Sequence, residues 1–266
     1  MSIHKTAIVS PKAEIDPSAE IGPNVIIDGK VTIGAGVKIM ANAYISGTTE
    51  IGEGTLVHMG AVIGHEPQDL TYKGEETFTK VGKNNIIREY VTIHRGATKE
   101  EWITSIGDNN LIMGACHLGH NCRMGSSNIL VNSALLAGHV KVGNFVFISG
   151  NVVFHQFCRI GDYAMIGGFT GVNKDVPPYM LVRGPSVLRG LNLVGLRRSG
   201  ISREVIHELK EAYKLLFMSG MSQEAALGAI SQAYHSAEIA NLTNFIRGSK
   251  RGICVYNRYE KDGFFE

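Results

Sequence analysis

The chain has 266 residues, a formal net charge of +2 and a pI of about 8.3, enough for one large domain and a small one. It carries no Lys/Arg-rich run of the nucleic-acid-binding kind, and no stretch approaches the ~18 apolar residues of a membrane span, so neither partner is expected. Met1-Ser2-Ile3-His4-Lys5 enters the first repeat directly and Cys116, Cys122, Cys158 and Cys254 form no CxxC pair, which predicts a cytoplasmic protein with reduced thiols and no signal peptide.

In chain order, an apolar residue recurs every sixth position from Ile3 through Val9, Ile15, Ile21 and Ile27 to Ile63. The register resumes at Val81, Ile87 and Ile93, and again from Ile106 through Ile112, Leu118, Met124, Leu130, Leu136, Val142, Ile148, Phe154, Ile160 and Ile166 to Val172. A period of six fits neither an α-helix nor an amphipathic strand. It predicts a hexapeptide-repeat solenoid, a mainly β, parallel β-helix over 1–183. With three hexads per coil, residues 18 apart are stacked neighbours about 4.8 Å apart. The hexads then fall on three faces, with Leu118, Leu136, Phe154 and Val172 on face A, Val81 and Ile106 on B, and Ile87 and Ile112 on C.

Both interruptions, loops 64–80 and 94–105, follow a face-A hexad, so both leave the solenoid at one corner. His94, His117, His120, His139 and His155 gather there too, with His120, Gly138 and Gln156 stacked at steps of 18. Val176-Pro177-Pro178 ends the repeat, because proline cannot continue a strand ladder. A linker is expected through Arg183 to Gly200, then helices capped by Ser202 and Ser222 and a third over about 237–246, making 184–266 a small C-terminal α-helical domain. Cys254 to Glu266 carries no assignable pattern.

Histidine is the natural general base near neutral pH, and His120 is the candidate. The Gly138 N–H one coil above is a plausible oxyanion donor, so a thioester carbonyl between them would face base and donor together. Asp69 in the first loop suits a sugar hydroxyl or a turn cap equally well. The rival use of clustered histidines is a zinc site, which needs three imidazoles converging at about 2.0–2.1 Å from the ion. His117 and His120, three apart on extended backbone, are poorly spaced for that, and no metal is expected.

On the peptides Pro67-Gln68-Asp69-Leu70, Ile87 to Gly96 (IREYVTIHRG), His117-Leu118-Gly119-His120, Leu136 to Val140 (LAGHV), His155-Gln156-Phe157-Cys158 and Asp175 to Tyr179 (DVPPY), the chain resembles the acyl-ACP:UDP-N-acetylglucosamine O-acyltransferases. These make the first acylated intermediate of lipid A, and the resemblance spans essentially the whole chain. It implies a left-handed β-helix, a homotrimer with active sites between subunits, and no cofactor beyond the phosphopantetheine of acyl carrier protein. It implies that His120 deprotonates the sugar 3-hydroxyl, which attacks a 3-hydroxyacyl thioester, with Gly138 as oxyanion donor. Asp69, His117, Gln156, Asn192 and Arg198 match acceptor-contacting positions, His139 and His155 line the same cleft, and Gly168 matches the position that limits acyl length. Acyl carrier protein is acidic, so Arg189, Arg197, Arg198, Arg247, Lys250 and Arg251 are candidate contacts for it.

The chain departs from that pattern in places. The family's usual Asp after the catalytic histidine is Asn121, which can orient the imidazole but not stabilise imidazolium by charge, so a weaker base is expected. A usual Lys after Pro-Gln-Asp-Leu is Thr71, with Lys73 nearby as a substitute; Val194 and Ser199 replace a usual Glu and Arg. Losing the lysine lowers the electrostatic cost of an ammonium at the sugar 3-position, so the 3-amino analogue UDP-GlcNAc3N is an expected alternative acceptor. The other readings are the sister N-acyltransferase, which carries an extra N-terminal domain, a γ-class carbonic anhydrase, and a non-catalytic scaffold.

Overall fold

A computed structural model describes residues 2–256. The sixth-residue apolar side chains point inward and pair in register 18 residues apart: Leu118 with Leu136, Leu136 with Phe154, Phe154 with Val172, and likewise Ile112, Leu130, Ile148 and Ile166. Ile63, Ile93, Leu118 and Leu136 are completely buried, and burying each such side chain stabilises the fold by about 1.5–3 kcal/mol. Because each coil stacks its apolar residues on those of the coils above and below, the solenoid core is a column rather than a ball.

Face C forms a 12-stranded sheet, and faces A and B form one 15-stranded sheet. The last two join because Ile26–Ile33 and Tyr44–Ile51 each run across both faces. Their bend falls at Gly29 and Gly47, with φ of 103° and 74°; a Cβ on Gly29 would sit 2.7 Å from the Gly47 carbonyl oxygen, so glycine is required. Higher up, the A/B corner is a tight turn, and Asn121, His139 and Phe157 take positive φ of 58°, 64° and 67° in successive coils. The B/C corner is laced by buried Asn85, Asn110 and Asn128, whose side-chain oxygens accept from the N–H of Asn110, Asn128 and Val146 one coil on.

Both insertions leave from the A/B corner, as the sixth-residue register predicts. They are shorter than 64–80 and 94–105, because strands Val62–His65, Phe78–Val81 and Ile103–Ile106 extend the ladder into them. Thr79 and Thr104 on the last two of these strands stack in register with Thr49 of Tyr44–Ile51, and all three are buried, continuing face B where no apolar hexad marks it.

The expected linker over 183–200 is structured instead. Met180–Arg183 adds a parallel strand beyond the prolines, and Val187–Leu191 turns back antiparallel to it. Gly184 and Ser186, with φ of 67° and 57°, make the reversal. Helix α1 (Leu193–Arg198) follows, then α2 (Arg203–Phe217), α3 (Gln223–Ala233) and α4 (Ala237–Arg247). Ser202, Ser222 and Ser236 cap the last three through their side-chain oxygens. The α4 helix is fastened to the solenoid by Asn241, which donates to Asp162 and to the Tyr179 hydroxyl, and by Arg159 lying over the Phe245 ring at 4.1 Å. Val255–Tyr256 pairs with Val187 and Leu188; the rest of the tail, and so the end of the expected 184–266 domain, lies outside the described residues.

Candidate active site

A cleft of about 380 Å³ opens at the A/B corner. Gln68, His94, His117, Gly119, His120, Gly138 and Gln156 line it with the apolar Leu135, Ala137, Val153 and Phe154. The first loop supplies Gln68; the strand ends and turns of successive coils supply the rest.

His120 is held by one neighbour whose orientation is fixed. The Asn121 amide nitrogen donates to the Ala97 and Lys99 carbonyls at 3.1 and 2.9 Å, and its oxygen accepts from the Ala97 N–H at 2.9 Å. A flipped amide would lose all three bonds. The same oxygen lies 2.9 Å from His120 Nδ1, and an amide oxygen can only accept, so Nδ1 carries the proton and Nε2 the lone pair. That lone pair faces Gly138: a Cβ placed there would lie 2.6 Å from Nε2. The Gly138 N–H makes no backbone hydrogen bond among the described residues, whereas Ala137 and His139 on either side donate to Phe154 and His120. An imidazole lone pair and an N–H donor without a backbone partner thus stand side by side on adjacent coils, an arrangement that could serve acyl transfer.

The other histidines sit in different surroundings. His139 is buried, stacks on Phe157 at 4.4 Å and meets His120 edge-on at 5.1 Å. Its Nδ1 donates to the Glu100 carboxylate at 3.2 Å, while burial, outweighing that carboxylate, lowers its pKa. His117 Nδ1 pairs with the Thr92 hydroxyl at 2.7 Å, and burial and then His120 lower its pKa. His94 is brought down to about 4, chiefly by burial and then by the neighbouring His117, His65 and His120. Tyr44, His65, His94 and His117 form a ladder of rings up face A. His155 is exposed beside the cleft, and its Nδ1 lies 3.1 Å from the Gln156 carbonyl oxygen and 3.2 Å from the Arg251 guanidinium.

Asp69 accepts from the backbone and hydroxyl of Thr71 at 2.9 and 2.8 Å, which with Lys99 and His120 holds its carboxyl down at about 2. The cation that meets it is Lys99 of the second loop, at 3.5 Å, and not Lys73, whose N–H turns onto the Glu75 carboxylate. Lys99 and Glu100 were invisible to sequence reasoning, because only folding brings the tip of one insertion against the other. Arg95 holds the first loop in place, bonding the Tyr72 hydroxyl through two nitrogens and the Gly64 carbonyl through a third.

Of the expected site residues, His117, His120, Gly138 and Gln156 line this cleft; Asp69, His139 and His155 do not line it, and Asn192, Arg198 and Gly168 lie elsewhere. Asn192 is buried as the N-cap of α1, its oxygen taking the Gly195 N–H at 3.0 Å and its nitrogen donating to the Tyr163 carbonyl at 2.9 Å. Arg198 ends the same helix, and Gly168 sits on a corner where a Cβ would find its nearest atom at 3.4 Å. A second cleft of about 680 Å³, between α1 and α2, is lined by Arg197, Ile201, Arg203, Ile206, His207 and Lys210. No three His, Cys, Asp or Glu side chains converge to hold a metal ion among the described residues.

Hexapeptide coils that set a histidine lone pair beside a backbone N–H suit an acyltransferase. Residues 30–65 match the bacterial transferase hexapeptide family, and residues 175–254 match domain 2 of UDP-N-acetylglucosamine O-acyltransferase. The acyl-[acyl-carrier-protein]–UDP-N-acetylglucosamine O-acyltransferase of Thermodesulfovibrio yellowstonii is 50% identical over 95% of this chain and 98% of its own, and that of Halorhodospira halophila 45% over 94% and 98%. Crystal structures of the UDP-N-acetylglucosamine acyltransferases of Bacteroides fragilis and Francisella novicida superpose with TM-scores of 0.92 and 0.93 at 42% and 38% identity. They cover 94% and 97% of this chain and 99% and 95% of their own. The chain belongs to the acyl-ACP–UDP-N-acetylglucosamine O-acyltransferase family.

Proposed function

We propose that this enzyme transfers a 3-hydroxyacyl group from acyl carrier protein to the 3-hydroxyl of UDP-N-acetylglucosamine, in the cytoplasm, as the first step of lipid A biosynthesis. The observation that carries the reading is the Nε2 lone pair of His120 beside the unengaged Gly138 N–H. His120 takes the proton as the hydroxyl oxygen attacks the thioester carbonyl; the Gly138 N–H receives the developing oxyanion; the pantetheine thiolate leaves and is protonated from the imidazolium. Asn121 accepts from Nδ1–H throughout, keeping the ring in the productive tautomer. No cofactor is needed beyond the phosphopantetheine that carries the donor.

Asp69, His117 and Gln156 would bind the acceptor, with His139 and His155 bordering it. The cleft's outer wall, Leu135 and Val153, is 41% and 46% exposed, which fits coverage by a second copy of the chain in a homotrimer. A neighbouring subunit would then bring Arg198 to the acceptor and Gly168 to the acyl chain; Asn192 serves there through the cap that sets α1. Four basic groups lining the cleft between α1 and α2 suit an acidic carrier protein. The test is incubation with 3-hydroxyacyl carrier proteins and UDP-N-acetylglucosamine, products read by mass spectrometry. An acyl ester at the sugar supports the reading; absence of product at every chain length contradicts it.

A further inference from the structure

Thr71 removes a positive charge from the loop that carries Asp69, and the fold returns one from elsewhere. Lys99 Nζ lies 3.5 Å from Asp69 Oδ2, the carboxylate oxygen that Thr71 leaves free. Its position is built rather than incidental. The Lys99 carbonyl is gripped at 2.9 Å by Asn121, the residue that orients His120, and the next residue, Glu100, is tied to His139. Arg123 pairs with Glu101 on the far side of the loop tip. Contacts at three consecutive residues therefore hold the loop tip from which the Lys99 ammonium reaches the arm beside His120.

We propose that Lys99 is a positioning residue for acceptor choice: by neutralising Asp69 it makes this chain favour a 3-hydroxyl acceptor over a 3-amino one. This rests on the reading of Asp69 as an acceptor-binding group. A bare carboxylate in that arm would draw an ammonium at the sugar 3-position; a carboxylate already paired to a lysine offers no such gain, and the lysine repels the ammonium directly. The hydroxyl sugar carries no charge there and is indifferent to the difference. A lysine on the second insertion thus does electrostatically what a lysine at position 71 would do on the first.

The experiment compares kcat/KM for ester and amide formation on UDP-GlcNAc and UDP-GlcNAc3N with one acyl carrier protein, in the wild type, Lys99→Met, Lys99→Arg and Lys73→Met. Lys99→Met should raise the amide-to-ester ratio about tenfold, Lys99→Arg should keep the wild-type ratio, and Lys73→Met should leave it unchanged. The Lys99→Met effect should shrink with added salt and be smaller when Asp69→Asn is combined with it, which a loss of loop packing would not do. A ratio within about twofold of wild type in Lys99→Met, or a shift in Lys73→Met, overturns the proposal. Wild-type enzyme that forms neither product contradicts the transferase reading itself, whereas a wild type making mostly ester with an unmoved Lys99→Met ratio removes only the role of Lys99.

Discussion

The amide oxygen of Asn121 lies 2.9 Å from Nδ1 of His120, and the same amide spans the base of the second insertion through Ala97 and Lys99. One side chain therefore sets the tautomer of the base and the course of the loop beside it. A carboxylate would reproduce the first function and oppose the second, since two carbonyls would face it with no proton between.

It follows that Asn121→Asp, although it installs the residue usual in the family, should reduce both stability and turnover. Each carbonyl left without its donor costs about 1–3 kcal/mol. Thermal unfolding and steady-state kinetics check this; a variant as stable as wild type with higher kcat would show that the loop reorganises freely.

Gly138→Ala should lower kcat by about 10²-fold or more with little change in folding. The new methyl would lie 2.6 Å from His120 Nε2, and Asn121 holds the ring against retreat. Circular dichroism alongside kinetics separates this from a folding defect.

The acid limb of the stability curve should report the buried histidines. His94 titrates near 4 when folded against an ordinary 6.5, and His117 and His139 are also lowered. Between those values the unfolded chain binds more protons, so stability is fully present above about pH 6.5 and is lost as pH falls toward 4. His94→Phe should flatten the dependence of Tm on pH in that window; an unchanged slope would mean that His94 is hydrated in solution.

All four cysteines are buried, and burial raises their thiols to about 11 or 12. A disulfide reagent should leave native protein unlabelled at neutral pH and titrate four thiols after denaturation. Fast labelling of the native state would contradict their burial, three in the solenoid and Cys254 against its C-terminal end.

The hexad register alone places the coils, the three faces and the corner that both insertions leave, because a residue's height depends only on a fixed count of 18. That arithmetic stacks His120, Gly138 and Gln156 before any coordinates are known. It fails where the repeat stops counting. The Thr49, Thr79 and Thr104 ladder breaks the apolar pattern yet extends face B, and the Met180–Arg183 strand forms after the prolines because its partner is the coil beneath it. Lys99 and Glu100 escape for a deeper reason: loops meet through tertiary closure, and no period in the sequence encodes that meeting. Asn121, read as a weakened partner for the base, proves to be a three-way clamp whose other bonds lie 22 and 24 residues away.

The central claim is that His120 is the base, and single-turnover kinetics of His120→Ala on acyl carrier protein and UDP-N-acetylglucosamine tests it most directly. The account predicts a fall of about 10²-fold or more in the acyl-transfer rate, with the oligomer and acceptor binding intact. A loss of only a few fold would contradict it and move proton transfer to another group of the corner.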